Sequence, residues 1–276
     1  MQPGPDEAAF TEKDNTHLWI VNRAAELLQS EREAGQFAYE LMKPGLGKSG
    51  DAFHDNVCRG VYEPDHKAPY TDPLLPFGLC PTWKSHFYDP DTQTNWMNEK
   101  ALTAVTRATT YYHVSREAYK AGDMSVAGYN LGLTLHFLGD MTQPMHAANF
   151  TWLSSLNCGY HTAFERYAKT TLNVIELPER YVPLALGVMP QGYIKAVARR
   201  TKDTYLRKVC KPEWTRTYNR DEVTNEVWQQ RVGPYIGPML SDAVLITAQY
   251  LLAWAESLLP IRVEVGTLSE TNTLQV

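Results

Sequence analysis

The residues best suited to chemistry are concentrated in one run near the middle of the chain, LTLHFLGDMTQPMHAANF at positions 133–150. His136 and Asp140 stand four residues apart, so on a helix both side chains project from one face and could bind one metal ion. Their neighbours are apolar, and burying an unpaired charge among them would cost several kcal/mol, a cost that a metal ion removes. His146 follows Pro144, where a helix is expected to break, and could therefore reach a neighbouring ion.

A second pair with the same spacing follows in YHTAFE, where His161 and Glu165 are again four residues apart. Imidazole and carboxylate together suit zinc, and the chain has no CxxC pair that could form a cysteine-based site. His17 in THLWIVNRA and His86 in SHFYDPD would be unremarkable alone, but they extend the set. The sequence therefore predicts a metal site that is rich in histidine and carboxylate ligands.

Helices are expected to position these side chains, because convincing alternating strand patterns are missing. The stretch from Pro44 to Pro90 is rich in Gly, Pro and Asp and is predicted to be mostly irregular. The pattern favours an all-α fold, a compact multi-helix bundle with one long irregular loop. The predicted helices begin at Asn15 or Thr16 and then cover, approximately, Glu99–Ala121, Met124–Gly139, Gly159 or Tyr160 to Leu172, Gly192–Lys208 and Asp221–Leu258, the last with breaks at Gly233-Pro234 and Gly237-Pro238.

Length and composition limit the domain organisation and the partners. The chain has 276 residues, of which 43% are hydrophobic, and a formal net charge of −5. We expect a single domain over residues 1–276, with 262–276 as a loose tail, and no nucleic-acid partner, because a basic stripe is missing. The longest apolar candidate for a membrane span, Ala243–Ala255, is shorter than the roughly 20 residues needed and is predicted to be a buried helix.

The cysteines bear on the cellular compartment. An even number at wide spacing fits two disulfides in an exported protein, and the shortest loops close if Cys58 pairs with Cys80 and Cys158 with Cys210. Four free buried thiols in a cytosolic protein are the alternative. Residues 1–12 are polar and show no signal peptide, which is equally consistent with a mature exported form. We expect a secreted or periplasmic protein.

Five segments, in chain order, carry a resemblance to a known family. THLWIVNRA, VYEPDHKAPY, SHFYDPD, LHFLGDMTQPMHAANFT and GYHTAFERYA resemble the motifs of the bacterial zinc-dependent phospholipases C, which include phosphatidylcholine-preferring enzymes and the catalytic domain of clostridial alpha-toxin. The similarity extends from about Asn15 to about Leu258, and we expect no counterpart of the toxin's C-terminal β-sandwich. The resemblance implies hydrolysis of glycerophospholipids, phosphatidylcholine or related, to diacylglycerol and a phosphorylated head group at a membrane or micelle surface.

The resemblance also implies three zinc ions and assigns their ligands. One ion would be held by Asp65, His86, His136 and Asp140, a second by His17 and a bridging Asp140, and a third by His146, His161 and Glu165. Asp65 is the implied general base. Family members also bind the second ion through a processed N-terminal Trp, but no Trp precedes Trp19 here, so the resemblance leaves that ion's ligands incomplete.

Three positions match the head-group pocket of the family or lie beside a ligand: His66, Trp83 and Phe87. Aromatic rings there can hold a quaternary ammonium, but His66 replaces a Tyr, and neutral imidazole is a weaker partner, so the head-group preference stays open. Ordinary packing is the alternative for Trp83 and Phe87.

Two other functions remain as alternatives. The single-strand nucleases share an all-α three-zinc design, but they pair the late His with Asp, where this chain has Glu165, and their Gly-Gly-Asn segment is not seen after His146. A catalytically silent lipid-binding protein is the other, and the complete set of candidate ligands argues against it.

Overall fold

The computed structural model of the chain describes residues 15–31, 33–43, 48–66, 84–151, 160–211 and 226–259. These parts are helical, and the strand-like pairing within them is an isolated bridge between Asp89 and Thr94. Short 3-10 turns cover His146–Ala148 and Leu172–Val174, and a π-helical turn covers Lys202–Leu206. The helices are α1 Thr16–Leu27, α2 Glu33–Met42, α3 Lys48–His66, α4 Ala104–Lys120, α5 Met124–Met141, α6 Tyr160–Thr170, α7 Gln191–Thr201, α8 Arg207–Val209 and α9 Glu226–Glu256.

Helix α5 is the centre of the fold. It packs most extensively against α3 on one side and α4 on the other. Residues 130–141 are all buried, as expected for a helix that is apolar on every side. His136 and Asp140 belong to this buried segment, so their polar atoms must find partners inside the protein.

Glycines allow α3 and α5 to approach closely. A Cβ on Gly60 would lie 2.2 Å from the carbonyl oxygen of Tyr129, and one on Gly132 would lie 2.2 Å from that of Val57. Only a residue without a side chain fits at such backbone contacts. The close packing places the C-terminal end of α3, and with it Asp65, beside the face of α5 that carries His136 and Asp140.

The first and last long helices cover this core. The Asn15 side chain caps α1 by accepting a hydrogen bond from the backbone N–H of Leu18 at 2.9 Å. Helix α1 packs mainly against α9. The predicted breaks in α9 are wrong, because the helix continues through both Pro234 and Pro238. Buried residues along its whole length, from Trp228 to Ala255, provide packing that outweighs the lost backbone hydrogen bonds.

The prediction of an irregular stretch from Pro44 to Pro90 is also wrong in part, since α3 occupies Lys48–His66. Its Gly, Pro and Asp residues dominated the composition, but Phe53, Val57 and Val61 recur every four residues and are completely buried. This apolar stripe stabilises the helix against α5. Helix α2 was likewise not predicted.

By length and composition, the whole of α9 is long and apolar enough to cross a membrane, whereas the sequence analysis considered only its shorter part Ala243–Ala255. About half of its most apolar window, 56%, is buried inside the protein, and a core helix also meets these criteria. Of the cysteines, Cys58 is buried and Cys210 is half-buried, whereas Cys80 and Cys158 lie outside the described residues. The predicted loose tail 262–276 also lies outside them. The two disulfides therefore stay predictions.

Candidate metal centre

A cleft of about 870 Å³ opens where α1, α3, α5 and α6 meet. Its walls carry all the predicted metal ligands except His136, which is completely buried beside them. The apolar part of the lining comes from Ile20, Phe164 and the α9 residues Met239 and Leu240. The fold thus brings the scattered ligands of the sequence to one place.

Four predicted ligand atoms lie close together in the cleft, and five of their six separations are between 2.9 and 3.7 Å. His86 Nδ1 lies 3.6 Å from Asp65 Oδ1, 3.2 Å from His136 Nε2 and 2.9 Å from Asp140 Oδ2. His136 Nε2 lies 3.7 Å from Asp65 Oδ1 and 3.6 Å from Asp140 Oδ2. Tetrahedral zinc with bonds of about 2.1 Å requires its ligand atoms to be about 3.4 Å apart. The four side chains therefore fit one zinc ion, here called the base site.

The hydrogen bonds of His136 leave a lone pair facing this site. Its Nδ1 atom lies 2.8 Å from the carbonyl oxygen of Val61, and since a carbonyl only accepts, Nδ1 must donate. Burial lowers the pKa of His136 to about 4, so the ring is neutral and its Nε2 is unprotonated at neutral pH. A carbonyl that orients the ring in this way is typical of metal-binding histidines.

Next to the base site, His17 faces the second oxygen of each carboxylate. Its Nε2 atom lies 3.6 Å from Asp140 Oδ1 and 3.8 Å from Asp65 Oδ2. Asp140 is thus placed as the resemblance implies, with one oxygen toward each site, and Asp65 has the same arrangement. Gly139 makes room for the ring, because a Cβ there would lie 2.4 Å from His17 Nδ1. We call this the bridged site.

A third group of ligands lies on the other side of Asp140. His146 Nε2, His161 Nε2 and Glu165 Oε1 are separated by 2.9 to 3.2 Å. His146 donates from Nδ1 to the carbonyl oxygen of His86 at 2.8 Å, so Nε2 is the ring nitrogen that faces the group. Two imidazole nitrogens and a carboxylate at this spacing fit a cation, and we call this the outer site.

Gln143 supports the outer site, and the sequence analysis did not identify it. Its amide oxygen accepts from the backbone N–H groups of Met145 and His146, which fixes the orientation of the amide. The amide nitrogen then points at Glu165 Oε1, at 3.2 Å, and at His161 Nε2, at 2.9 Å. The sequence offered one signal for Gln143, namely its position between the predicted ligand Asp140 and Pro144.

The loop that carries His86 is held by contacts on both sides. The backbone N–H of Tyr88 donates to the carbonyl oxygen of His146 at 3.1 Å. In the opposite direction, Nδ1 of His146 donates to the carbonyl oxygen of His86 at 2.8 Å. Further along, Lys202 binds Asp89 at 2.6 Å and Asp91 at 2.7 Å. The loop is therefore anchored to the 3-10 turn at His146–Ala148 and to the π-helical turn, and it presents His86 in a fixed position.

Electrostatics favour positive charge in the cleft. Burial opposes the ionisation of Asp65, Asp140 and Glu165, but the facing imidazoles outweigh it and lower the pKa of each carboxyl. Burial also opposes the charged forms of His86 and His146, yet the carboxylates raise the pKa of both, that of His146 to about 9. Protons can supply this positive charge, and so can metal ions that displace them.

The predicted head-group residues have different positions. Phe87 is buried, and its ring stacks on His146 at a centroid distance of 4.6 Å, so it supports a ligand. His66 is exposed at the cleft, where its ring stacks on Tyr62. Trp83 lies outside the described residues. Three lining residues were missed by the sequence analysis: Trp96, Arg166 and Lys169.

Comparison with known proteins gives a consistent result. The family model described as zinc dependent phospholipase C matches residues 16–220. A phospholipase C of Bacillus cereus is 31% identical over 256 residues, which cover 88% of this chain and 81% of the relative. A phospholipase C of Listeria monocytogenes is 29% identical over 243 residues, covering 88% of this chain and 77% of the relative.

Solved structures of similar fold include two clostridial toxins. The alpha toxin of Clostridium absonum superimposes with a TM-score of 0.64 at 21% identity, and the alpha-toxin of Clostridium perfringens with 0.62 at 18% identity. Both comparisons cover 89% of this chain, which spans 64% of each toxin chain. At these identities the similarity shows the shared all-α fold.

Proposed function

Because the chain belongs to the zinc-dependent phospholipase C family, we propose that it hydrolyses glycerophospholipids to diacylglycerol and a phosphorylated head group. The observation that carries the proposal is the cluster of Asp65, His86, His136 and Asp140, in which the separations of His86 and His136 from each other and from both carboxylates suit zinc. The bridged and outer sites would bring the number of zinc ions to three, with eight protein side chains as ligands.

Zinc ions clustered in this way supply positive charge that polarises phosphoryl oxygens and acidifies a water molecule. The role of the protein is to hold the phosphodiester in the cleft and to accept the proton of the attacking water. Asp65 is suited to accept it, because 40% of its side chain is exposed and it is the ligand of the base site nearest to solvent. The imidazoles that lower its pKa keep this carboxylate ionised at neutral pH.

The cleft also has the composition expected for a lipid substrate. Its lining combines the predicted ligands with apolar side chains, which include Ile20, Met239, Leu240 and Ala243. Such a combination suits a molecule with a charged phosphodiester and an apolar remainder. Export of the protein from the cell, which the cysteine count favours, is part of the same proposal.

The experiment measures hydrolysis by the zinc-loaded protein. We expect release of phosphorylated head group from short-chain phosphatidylcholine or phosphatidylethanolamine, loss of turnover with a chelator, and recovery with zinc. Single-stranded DNA serves as the second substrate. Cleavage of DNA without lipid hydrolysis would support the nuclease alternative, and zinc binding without hydrolysis of either substrate would support the silent lipid-binding alternative.

A further inference from the structure

One face of α6 carries both metal ligands and cations. His161, Thr162 and Glu165 line the cleft, and Arg166 and Lys169 continue the same face. Lys169 stands four residues after Glu165, about 6 Å further along the helix axis. The two cationic side chains therefore lie beside the outer site, on the wall that a bound head group would meet.

Apart from the predicted metal ligands, the charged side chains in the described lining of the cleft are cationic. Every carboxylate in the described lining, namely Asp65, Asp140 and Glu165, is a predicted metal ligand. Arg166 is exposed and makes no ion pair with another described residue. Beyond the metal ions, Arg166 thus offers positive charge to a ligand, and Lys169 adds to the positive potential beside it.

A cage for a cationic head group has little support among the described residues. His66 lines the cleft, but its ring is stacked on Tyr62 at a centroid distance of 3.9 Å, and its Nδ1 donates to the Tyr62 carbonyl at 3.0 Å. One face of the imidazole is therefore already occupied. A quaternary ammonium beside Arg166 and Lys169 would also be repelled by their like charge.

We propose that Arg166 and Lys169 form a subsite for a second anionic group of the substrate, an inference that rests on the proposed phospholipase C function. The preferred lipids would carry a carboxylate or an additional phosphate on the head group, besides the phosphodiester that is cleaved. A guanidinium binds either group through two parallel hydrogen bonds, and the ammonium of Lys169 adds a compact charge. The recognition needs no covalent step.

Two pairs of lipids test this subsite. Phosphatidylserine differs from phosphatidylethanolamine by one carboxylate, and phosphatidylinositol 4-phosphate differs from phosphatidylinositol by one phosphate. Dihexanoyl forms are used as monomers, so that attraction to a charged membrane surface does not contribute. For the zinc-loaded wild type we expect kcat/KM to be roughly tenfold higher for the anionic member of at least one pair, in line with hydrogen bonds to charged groups. The responding pair identifies the group.

The variants are Arg166→Gln, Lys169→Gln and the double variant. We expect each to reduce the preference and the double variant to bring it near one, with the zinc content unchanged. Lys120→Gln is the matched control. This substitution removes the same charge from the exposed end of α4, and Lys120 does not line the cleft. Calorimetric titration of the zinc-loaded protein with phosphoserine and phosphoethanolamine supplies a readout that is independent of turnover.

Three results would overturn the subsite while lipid hydrolysis remained intact. They are equal rates within both pairs, a preference that persists in the double variant, and a preference that appears only on vesicles. If no lipid were hydrolysed, the proposed function would fail, but tighter binding of phosphoserine than of phosphoethanolamine, lost in the double variant, would still support the subsite. Equal binding of these two, together with equal binding of inositol 1-phosphate and inositol 1,4-bisphosphate, would reject it.

Discussion

Replacing Gly139 with Ala tests whether His17 binds a metal ion. The added Cβ would lie 2.4 Å from Nδ1 and 3.0 Å from Cε1 of the His17 ring, whereas ordinary contact begins at 3.4 Å. The ring must therefore retreat by roughly 1 Å, and zinc–ligand distances tolerate changes of only about 0.2 Å. Retreat is restricted because the ring also packs on His136, at a centroid distance of 4.4 Å.

The expected result is selective loss of the zinc ion of the bridged site. We expect its affinity to fall by at least roughly a hundredfold, beyond the effect usual for changes outside the ligand shell, because a ligand itself moves. The base site keeps four other ligand atoms, and the helix gains rather than loses propensity, since Ala is favoured over Gly by about 1 kcal/mol. The variant should fold and retain the remaining zinc.

The assay is zinc per chain by elemental analysis after dialysis against buffered zinc, together with thermal unfolding. Gly237→Ala is the control, because nothing lies within 4 Å of the added Cβ on α9. It should keep all its zinc and unfold at the same or a slightly higher temperature. A Gly139→Ala protein with wild-type zinc content, affinity and turnover would refute the assignment of His17, and His17→Ala should reproduce the loss if the assignment holds.

Asp65→Asn should reduce turnover by at least about a hundredfold while most zinc stays bound, and near-normal turnover would exclude Asp65 as the base. His136→Ala should lose metal and stability together, visible as a lower melting temperature that zinc does not restore. Gln143→Leu should weaken the outer site by roughly tenfold in a zinc titration, and unchanged affinity would contradict its supporting role. In the zinc-free protein, the raised pKa of His146 contributes stability that is complete below its ordinary value and is lost as pH rises through about 9. Melting temperatures of the zinc-free protein measured between pH 6 and 10 should fall over that range, and a flat profile would contradict this origin.

Helix prediction succeeded where a polar capping residue precedes a segment with apolar residues at helical spacing. The predicted helix Met124–Gly139 is α5, Met124–Met141, and the predicted start at Asn15 or Thr16 is the N-terminus of α1. Prediction failed at α3, where composition was given more weight than the spacing of three buried apolar residues. It failed again in α9, because Pro234 is a local signal and packing along the helix is not.

The ligands of the candidate site also divide into those that the sequence could group and those that it could not. Four-residue spacing was enough to place His136 with Asp140 and His161 with Glu165 on common helix faces, because that geometry is local. Spacing could not place His17 or His86, which come from other parts of the chain. Their roles entered through the resemblance to a family.

By itself, the sequence determined the all-α class, the paired ligands and the kind of metal they suit, since helix periodicity and ligand chemistry depend on residue type and short spacing. Only the tertiary structure decided that Asp65 also faces two sites, that Gln143 contacts the outer site, and that Arg166 reaches the cleft wall. These facts depend on how α1, α3, α5 and α6 pack, and packing is set by contacts between residues that are far apart in the chain.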